Sequence, residues 1–309
     1  MQTLKVWDLT WVRRPCQVAG DEIRSMDGVP GESYNVMNFN GRGGSQALWA
    51  TFAAINEGDP EAIREFCSQF GFLGIQFSKI IDETGYGRET HRHNSEWQQL
   101  STWFSELTSE SNPLIGNLMD LWSKNIPEEA YSISNEGIDD IQKEIRQMRH
   151  ILEAINVIST RNTAEVGGIL DTLLDIIVPE HGSKAEIYRR FAQSGGNTSL
   201  GIGEIPPLFL LGKLVTMIIN RRLEGITPVL GLSSYNGGFV SGLQSSSLLD
   251  SMYLLLYLEL MENKAVKKCE SETCRQFFPV SLDKMDKKYC SNNCAHAQAA
   301  REYRRRKKA

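Results

Sequence analysis

No apolar run in these 309 residues approaches the length of a membrane span. The longest, in MYLLLYLELM, is about half of what a bilayer core requires. No secretory leader or lipidation motif stands out, so the expected compartment is the cytoplasm. Cysteine is scarce, with six in the whole chain, and a disulfide scaffold is therefore the weaker of two readings of those cysteines. Also missing are a Walker-type loop, a dinucleotide fingerprint, an H-E-x-x-H helix and a nucleophile beside its base. The neighbouring acidic pairs Glu128-Glu129 and Asp139-Asp140 would point apart on a helix, as solvated side chains do. No catalytic residue is assigned, and the chain is not expected to be an enzyme. These absences exclude the named mechanisms only, because catalytic groups can converge from distant positions.

What is present is concentrated near residue 280. Cys269, Cys274, Cys290 and Cys294 stand in the run CESETCRQFFPVSLDKMDKKYCSNNC, two close pairs separated by fifteen residues. Two such pairs let two turns converge on one tetrahedral thiolate-bound ion, and zinc prefers that coordination. Four thiolates leave no open position for water or substrate, so the single zinc ion is expected to be structural. The stretch has too few apolar residues to fold by burial alone, and a metal would compensate. Phe277, Phe278, Leu282 and Tyr289 are the candidates for its small apolar core. No histidine lies between Cys274 and Cys290, which argues against a metal-dependent nuclease, and His296 reads as a solvated helix side chain.

Charge separates this region from the rest. Residues 264–309 hold 13 Lys plus Arg against 5 Asp plus Glu, while the other 263 residues hold 20 against 33. The formal balances are +8 and −13, and four thiolates on one Zn2+ would remove only about 2 of the positive charges. Such asymmetry suggests a basic module for polyanions attached to an acidic body. The segment AHAQAAREYRRRKK contains neither Gly nor Pro and reads as a helix, with Ser291, Asn292 and Asn293 available to cap it. Helical spacing groups Arg301, Arg304, Arg305 and Lys308 on one face, with Ala295, Ala299 and Tyr303 free to pack nearby. Arg301, Arg304, Arg305, Arg306, Lys307 and Lys308 are the candidate phosphate contacts; a solvated basic terminus is the alternative. A knuckle, a short hairpin and a cysteine pair opening a helix together describe a treble-clef-like finger.

The pattern C-x4-C-x3-F, a basic spacer, YCS-x-x-C and an Arg-rich helix resembles the C-terminal zinc fingers of bacterial CGNR-type proteins. Cys269, Cys274, Phe278, Tyr289, Cys290, Ser291, Cys294, Arg301, Tyr303, Arg304 and Arg306 carry the resemblance. It departs after Cys294, where Ala295-His296-Ala297 stands in place of Gly-Asn-Arg. The run SSSLLDSMYLLLYLELMENK is similar to the helix that leads into such fingers, so the likeness covers residues 245–309. It implies a DNA-binding transcriptional regulator.

The composition upstream is that of an ordinary globular protein, and the expected fold class is α+β. A mainly helical body with short strands and a hairpin would precede the small finger. Three regions are expected: a body at 1–200 that senses a signal or dimerises, a connecting helix-hairpin-helix at 201–264, and the finger at 265–309. TLKVWDLTWV is β-rich. QALWATFAAINEG reads as a helix capped by Ser45, after a glycine loop at 41–44 that is a turn in preference to a phosphate cradle. GDPEAIREFCSQFGFLG carries Asp59 as N-cap, Pro60 at the first position and Gly71 as its stop, with Ile63, Phe66, Cys67 and Phe70 on one apolar face. Cys16 is expected to be structural. A helix after Ser95 carries Trp97, Leu100, Trp103, Phe104 and Leu107 as a core stripe, and His91 and His93 precede it as loop histidines.

Ile138, Ile141, Ile145, Met148, Leu152 and Ile155 recur by three and four over a helix at 138–160. They form the seam of a two-helix packing, within the chain or across a homodimer axis. PLFLLGKLVTMIINRRLEG reads as a buried helix, VLGLSSYNGGFVSG as a hairpin turning at Asn236-Gly237, and 246–264 as a helix joining the body to the finger. Two functions are carried forward. One is a zinc-dependent nucleic-acid-binding protein, with DNA favoured over RNA. The other is an enzyme or ligand-binding body whose finger docks RNA or protein.

Overall fold

The computed structural model describes residues 10–26, 28–36, 47–75, 135–181, 206–224, 226–232, 239–245, 247–274 and 276–308. Along them run β1 (Thr10–Arg13), β2 (Cys16–Ala19), β3 (Glu22–Ser25), β4 (Glu32–Asn35), α1 (Leu48–Ala53), α2 (Pro60–Phe70), β5 (Asn135–Gly137) and α3 (Ile138–Thr160). After a 3-10 turn come α4 (Val166–His181), α5 (Pro207–Leu223), β6 (Ile226–Leu232), β7 (Phe239–Ser245), α6 (Leu248–Met261), β8 (Lys264–Lys268), β9 (Phe277–Ser281) and α7 (Asn292–Lys308). The fold mixes helices with small antiparallel sheets, as expected. Compactness divides the chain into two units. The first takes Met1–Val36, Arg64–Ile141 and Gly225–Ser251; the second takes Met37–Ile63, Gln142–Glu224 and Met252–Ala309. The expected regions follow the order of the chain, whereas these units each gather three separate stretches.

In the first unit β1 pairs with β4, β2-β3-β5 form a three-stranded sheet, and β6 pairs with β7 as the expected hairpin. The Asn236-Gly237 turn lies outside the described residues. The end of α2 is fixed by backbone geometry: Gly71 has φ 91°, and a Cβ there would run into the Val12 carbonyl. Trp11 Nε1 donates to the Phe72 carbonyl at 2.9 Å and the Tyr34 hydroxyl to Phe70 at 2.6 Å, so the chain leaving α2 is held by side chains of β1 and β4. Cys16 and Cys67 are buried core residues, as expected.

Glu136, in the three-residue strand β5, has no exposed surface. Its carboxylate accepts the backbone N–H groups of Leu73, Gly74 and Ile75 at 2.7, 2.5 and 2.9 Å. Burial pushes its pKa up to about 7 against the pull of these three donors, and Asp140 pushes the same way.

The second unit holds the helical core and the cysteine cluster. The seam residues of α3 in this unit, Ile145, Met148, Leu152 and Ile155, are buried, as are Ile151, Ala154 and Val157; Ile138 and Ile141, at the start of the helix in the first unit, are buried too. The apolar face is therefore wider than a two-helix seam needs. Asp59 Oδ1 caps α2 by accepting from Glu61 and Ala62. The N-cap position of α1 is Ala47, which supplies no side-chain bond, and Ser45 lies outside the described residues. The other end of that short helix is satisfied instead. Arg149 of α3 donates to the carbonyls of Ala53 and Ile55 and to Glu57 at 2.8–3.1 Å. Arg222, in the last turn of α5, binds both oxygens of the buried Glu144 at 2.6 Å and lies 5.6 Å from the centre of the Tyr253 ring. The expected loop at 41–44, His91, His93 and the expected aromatic helix after Ser95 lie outside the described residues.

Candidate metal centre

Four successive local structures deliver the cysteines. Two residues past the end of α6, Asn263 adopts the left-handed conformation at φ 55°. The chain then turns directly into β8, which pairs antiparallel with β9. Cys269 follows the last residue of β8, Cys274 closes the turn between the strands, Cys290 ends the loop after β9, and Cys294 sits in the first turn of α7. Backbone bonds fix each turn: Cys269 N–H to Gln276 at 3.0 Å, Cys274 N–H to Ser271 at 2.9 Å, and Glu270 N–H to Lys288 at 2.9 Å. Ser291 is the effective cap of α7, its hydroxyl accepting from the Cys294 N–H at 3.3 Å.

The four sulfur atoms all lie within 4.8 Å of one another. Cys274 and Cys290 are 3.7 Å apart, and Cys290 and Cys294 3.5 Å. Tetrahedral thiolates 2.3 Å from a common centre would be separated by about 3.8 Å, so the donors lie close enough to hold one metal ion. None of the four is in a disulfide. The Cys290 N–H points at the Cys269 sulfur at 3.5 Å, a donor that would offset negative charge on a ligand thiolate. Burial, reinforced by the sulfur atoms of Cys294 and Cys274, pushes the Cys290 thiol well up, and burial raises Cys274. The Ser291 hydroxyl lowers Cys294. A bound cation would relieve the mutual repulsion of thiolates this close together.

Around the sulfurs Ala265, Cys269, Phe278 and Val280 form a small core, with Met285 and Tyr289 packed against it. Phe277 is buried as well, but strand alternation turns it away from that cluster. Leu282 does not join the core: it opens the 3-10 turn after β9, out of the strand's alternation, and is 59 % exposed. The cysteine-bearing segment is tied to α3 through Lys268. Its backbone N–H donates to Asn156 of α3 at 3.2 Å and its amine reaches Glu153 at 3.3 Å.

The six candidate phosphate contacts do not form one set. Arg301 donates to the Thr273 hydroxyl at 2.7 Å, and to Ser271 and Gln298 at 3.4 Å. Arg305 forms a two-pronged pair with Glu272 at 2.7 and 2.8 Å, which holds that carboxyl below its usual range. Both are turned onto the first cysteine turn. Arg304, Arg306 and Lys307 are exposed, with Arg304 Nε bonded to the Ala300 carbonyl; the backbone of Lys308 closes α7. Tyr303 is 69 % exposed. Sequence reasoning missed Ser271, Glu272 and Thr273. The available signal was three polar side chains inside the first turn, facing a Gln298–Arg301–Arg305 row at helical spacing.

Compared with protein-family models, curated proteins and solved structures, the chain matches none.

Proposed function

We propose that this chain is a zinc-dependent nucleic-acid-binding protein, a DNA-binding regulator whose four cysteines hold one structural zinc in a treble-clef-like finger. Zinc suits four thiolates of this spacing, and it would supply rigidity, not chemistry. Cys269, Cys274, Cys290 and Cys294 are its ligands. The observation that carries the reading is the placement of the cysteine cluster at the root of α7, whose C-terminal turn exposes Arg304, Arg306 and Lys307. Cations on a fixed helix neutralise phosphates and release counterions, which gives affinity that falls steeply with salt. The first test is fluorescence anisotropy of the zinc-loaded chain with a labelled DNA duplex, before and after chelation. Binding that disappears on chelation and returns with zinc is expected; binding indifferent to chelation would contradict the reading.

One observation favours a second reading, a ligand-binding body with the finger as a docking module. A cleft of about 410 Å³ is lined by His150, Glu153 and Asn156 of α3, Gly168 and Thr172 of α4, and Lys268 of the finger. A small-molecule thermal-shift screen tests it, with no stabilising compound as the outcome against it.

A further inference from the structure

The helix α7 has two opposite faces with different employment. At 100° per residue, Gln298, Arg301 and Arg305 fall within about 60° of one another. All three are engaged with Ser271, Glu272 or Thr273 of the first cysteine turn. Tyr303 lies about 170° around from the middle of that row. One turn before it are Ala299 and Ala300, and one turn after it are Arg306 and Lys307. These positions, at three and four residues from Tyr303, share its face. Each is exposed.

Resting on the nucleic-acid reading above, we infer that α7 enters the major groove of duplex DNA with the face of Ala299, Ala300, Tyr303, Arg306 and Lys307. Arg301 and Arg305 are positioning residues that do not touch the ligand. Three features fit this occupant. Ala299 and Ala300 are short, so the helix backbone can come close to base edges, in a groove about 12 Å wide that admits a helix of about 10–12 Å diameter. Arg306 and Lys307 follow one turn later, where a helix crossing a groove meets a phosphate strand. Tyr303 stands between them, a ring for a base edge or thymine methyl with a hydroxyl to donate. Single-stranded ligands need several aromatic platforms in succession, yet Phe277 and Phe278 of this finger are buried. The pair between Arg305 and Glu272 also removes one positive charge from the count available to phosphates, which the sequence cannot reveal.

The test uses the full zinc-loaded chain, a labelled 20-base-pair duplex and its single strand, with affinities measured across a salt series. Arg306→Gln with Lys307→Gln should lower the salt slope by roughly 2, at about 0.9 per phosphate contact. Glu272→Gln with Arg305→Gln leaves net charge unchanged and should leave the slope unchanged. Tyr303→Ala should weaken duplex binding on the order of tenfold at constant slope. Zinc content and circular dichroism of each variant verify the fold. A slope reduced by about 1 in the Glu272/Arg305 variant would place Arg305 on phosphate and overturn the assignment, as would tighter binding to the single strand or an unaffected Tyr303→Ala. If the wild-type chain binds neither nucleic acid, the nucleic-acid reading itself fails, and the assigned face with it.

Discussion

Helix α3 and helix α7 are both long, and they are held in opposite ways. Six seam residues of α3, with Ile151, Ala154 and Val157, are buried against their surroundings, so its conformation follows from apolar area removed from water. Along α7 the only buried residue is Gln298 among those whose side chains are described. A helix so polar is marginal in water on its own. Its fixed points are Cys294 in the first turn, the Ser291 cap, and the Arg301 and Arg305 contacts to the first cysteine turn. The lesson is that burial spreads stability over a face, whereas a metal held by the four cysteines would concentrate it at one point and leave the remaining faces exposed.

Removing the metal should break this contrast most strongly. Structural zinc contributes on the order of 10 kcal/mol to such small units. Hydrogen exchange before and after dialysis against a chelator should show amides of 269–308 losing protection while those of α3 keep theirs. Protection of α7 that survives chelation would mean that packing, not a cation, holds it. The reverse experiment is Leu152→Ala in α3, where loss of a fully buried side chain should cost about 2–5 kcal/mol. Denaturant unfolding would measure that loss, and metal content should remain unchanged.

Glu136 gives a smaller effect and a pH dependence. Its folded pKa is raised to about 7 by burial, so between about pH 4.5 and 7 the folded chain holds a proton that the unfolded chain has released. Its contribution is therefore fully present below about pH 4.5 and is lost as pH rises through 7, by about 3 kcal/mol in total. Unfolding free energies of wild type and Glu136→Gln across this range should converge on a constant difference above pH 7, with the slope confined to the wild type. The smallest effect should come from Glu272→Gln, since the pair with Arg305 is exposed and solvent-screened. A slight fall in Tm at low salt, vanishing at high salt, is the expected result.

Much of this was legible in the sequence because the signals are local. Recurrence by three and four marked α3, Asp59 and Gly71 marked both ends of α2, and two close cysteine pairs marked the cluster that can hold a metal ion. What was hidden depends on contacts far along the chain. Glu136 sits in a three-residue strand with no periodicity, and its three donors are 61 to 63 residues away. Spacing showed that Arg301 and Arg305 share a face, but only the arrival of Glu272 and Thr273 decides that this face points inward. For the same reason Tyr303, which spacing left free to pack, stands exposed. Leu282 was expected in the small core on its apolar character, but it opens the 3-10 turn after β9, where strand alternation no longer places it.

The most direct test of the account is the metal itself. Elemental analysis of purified full chain, with X-ray absorption at the metal edge, should return one zinc per chain surrounded by four sulfurs at about 2.3 Å. Substoichiometric metal, or mass spectrometry placing Cys274, Cys290 or Cys294 in a disulfide, would contradict it.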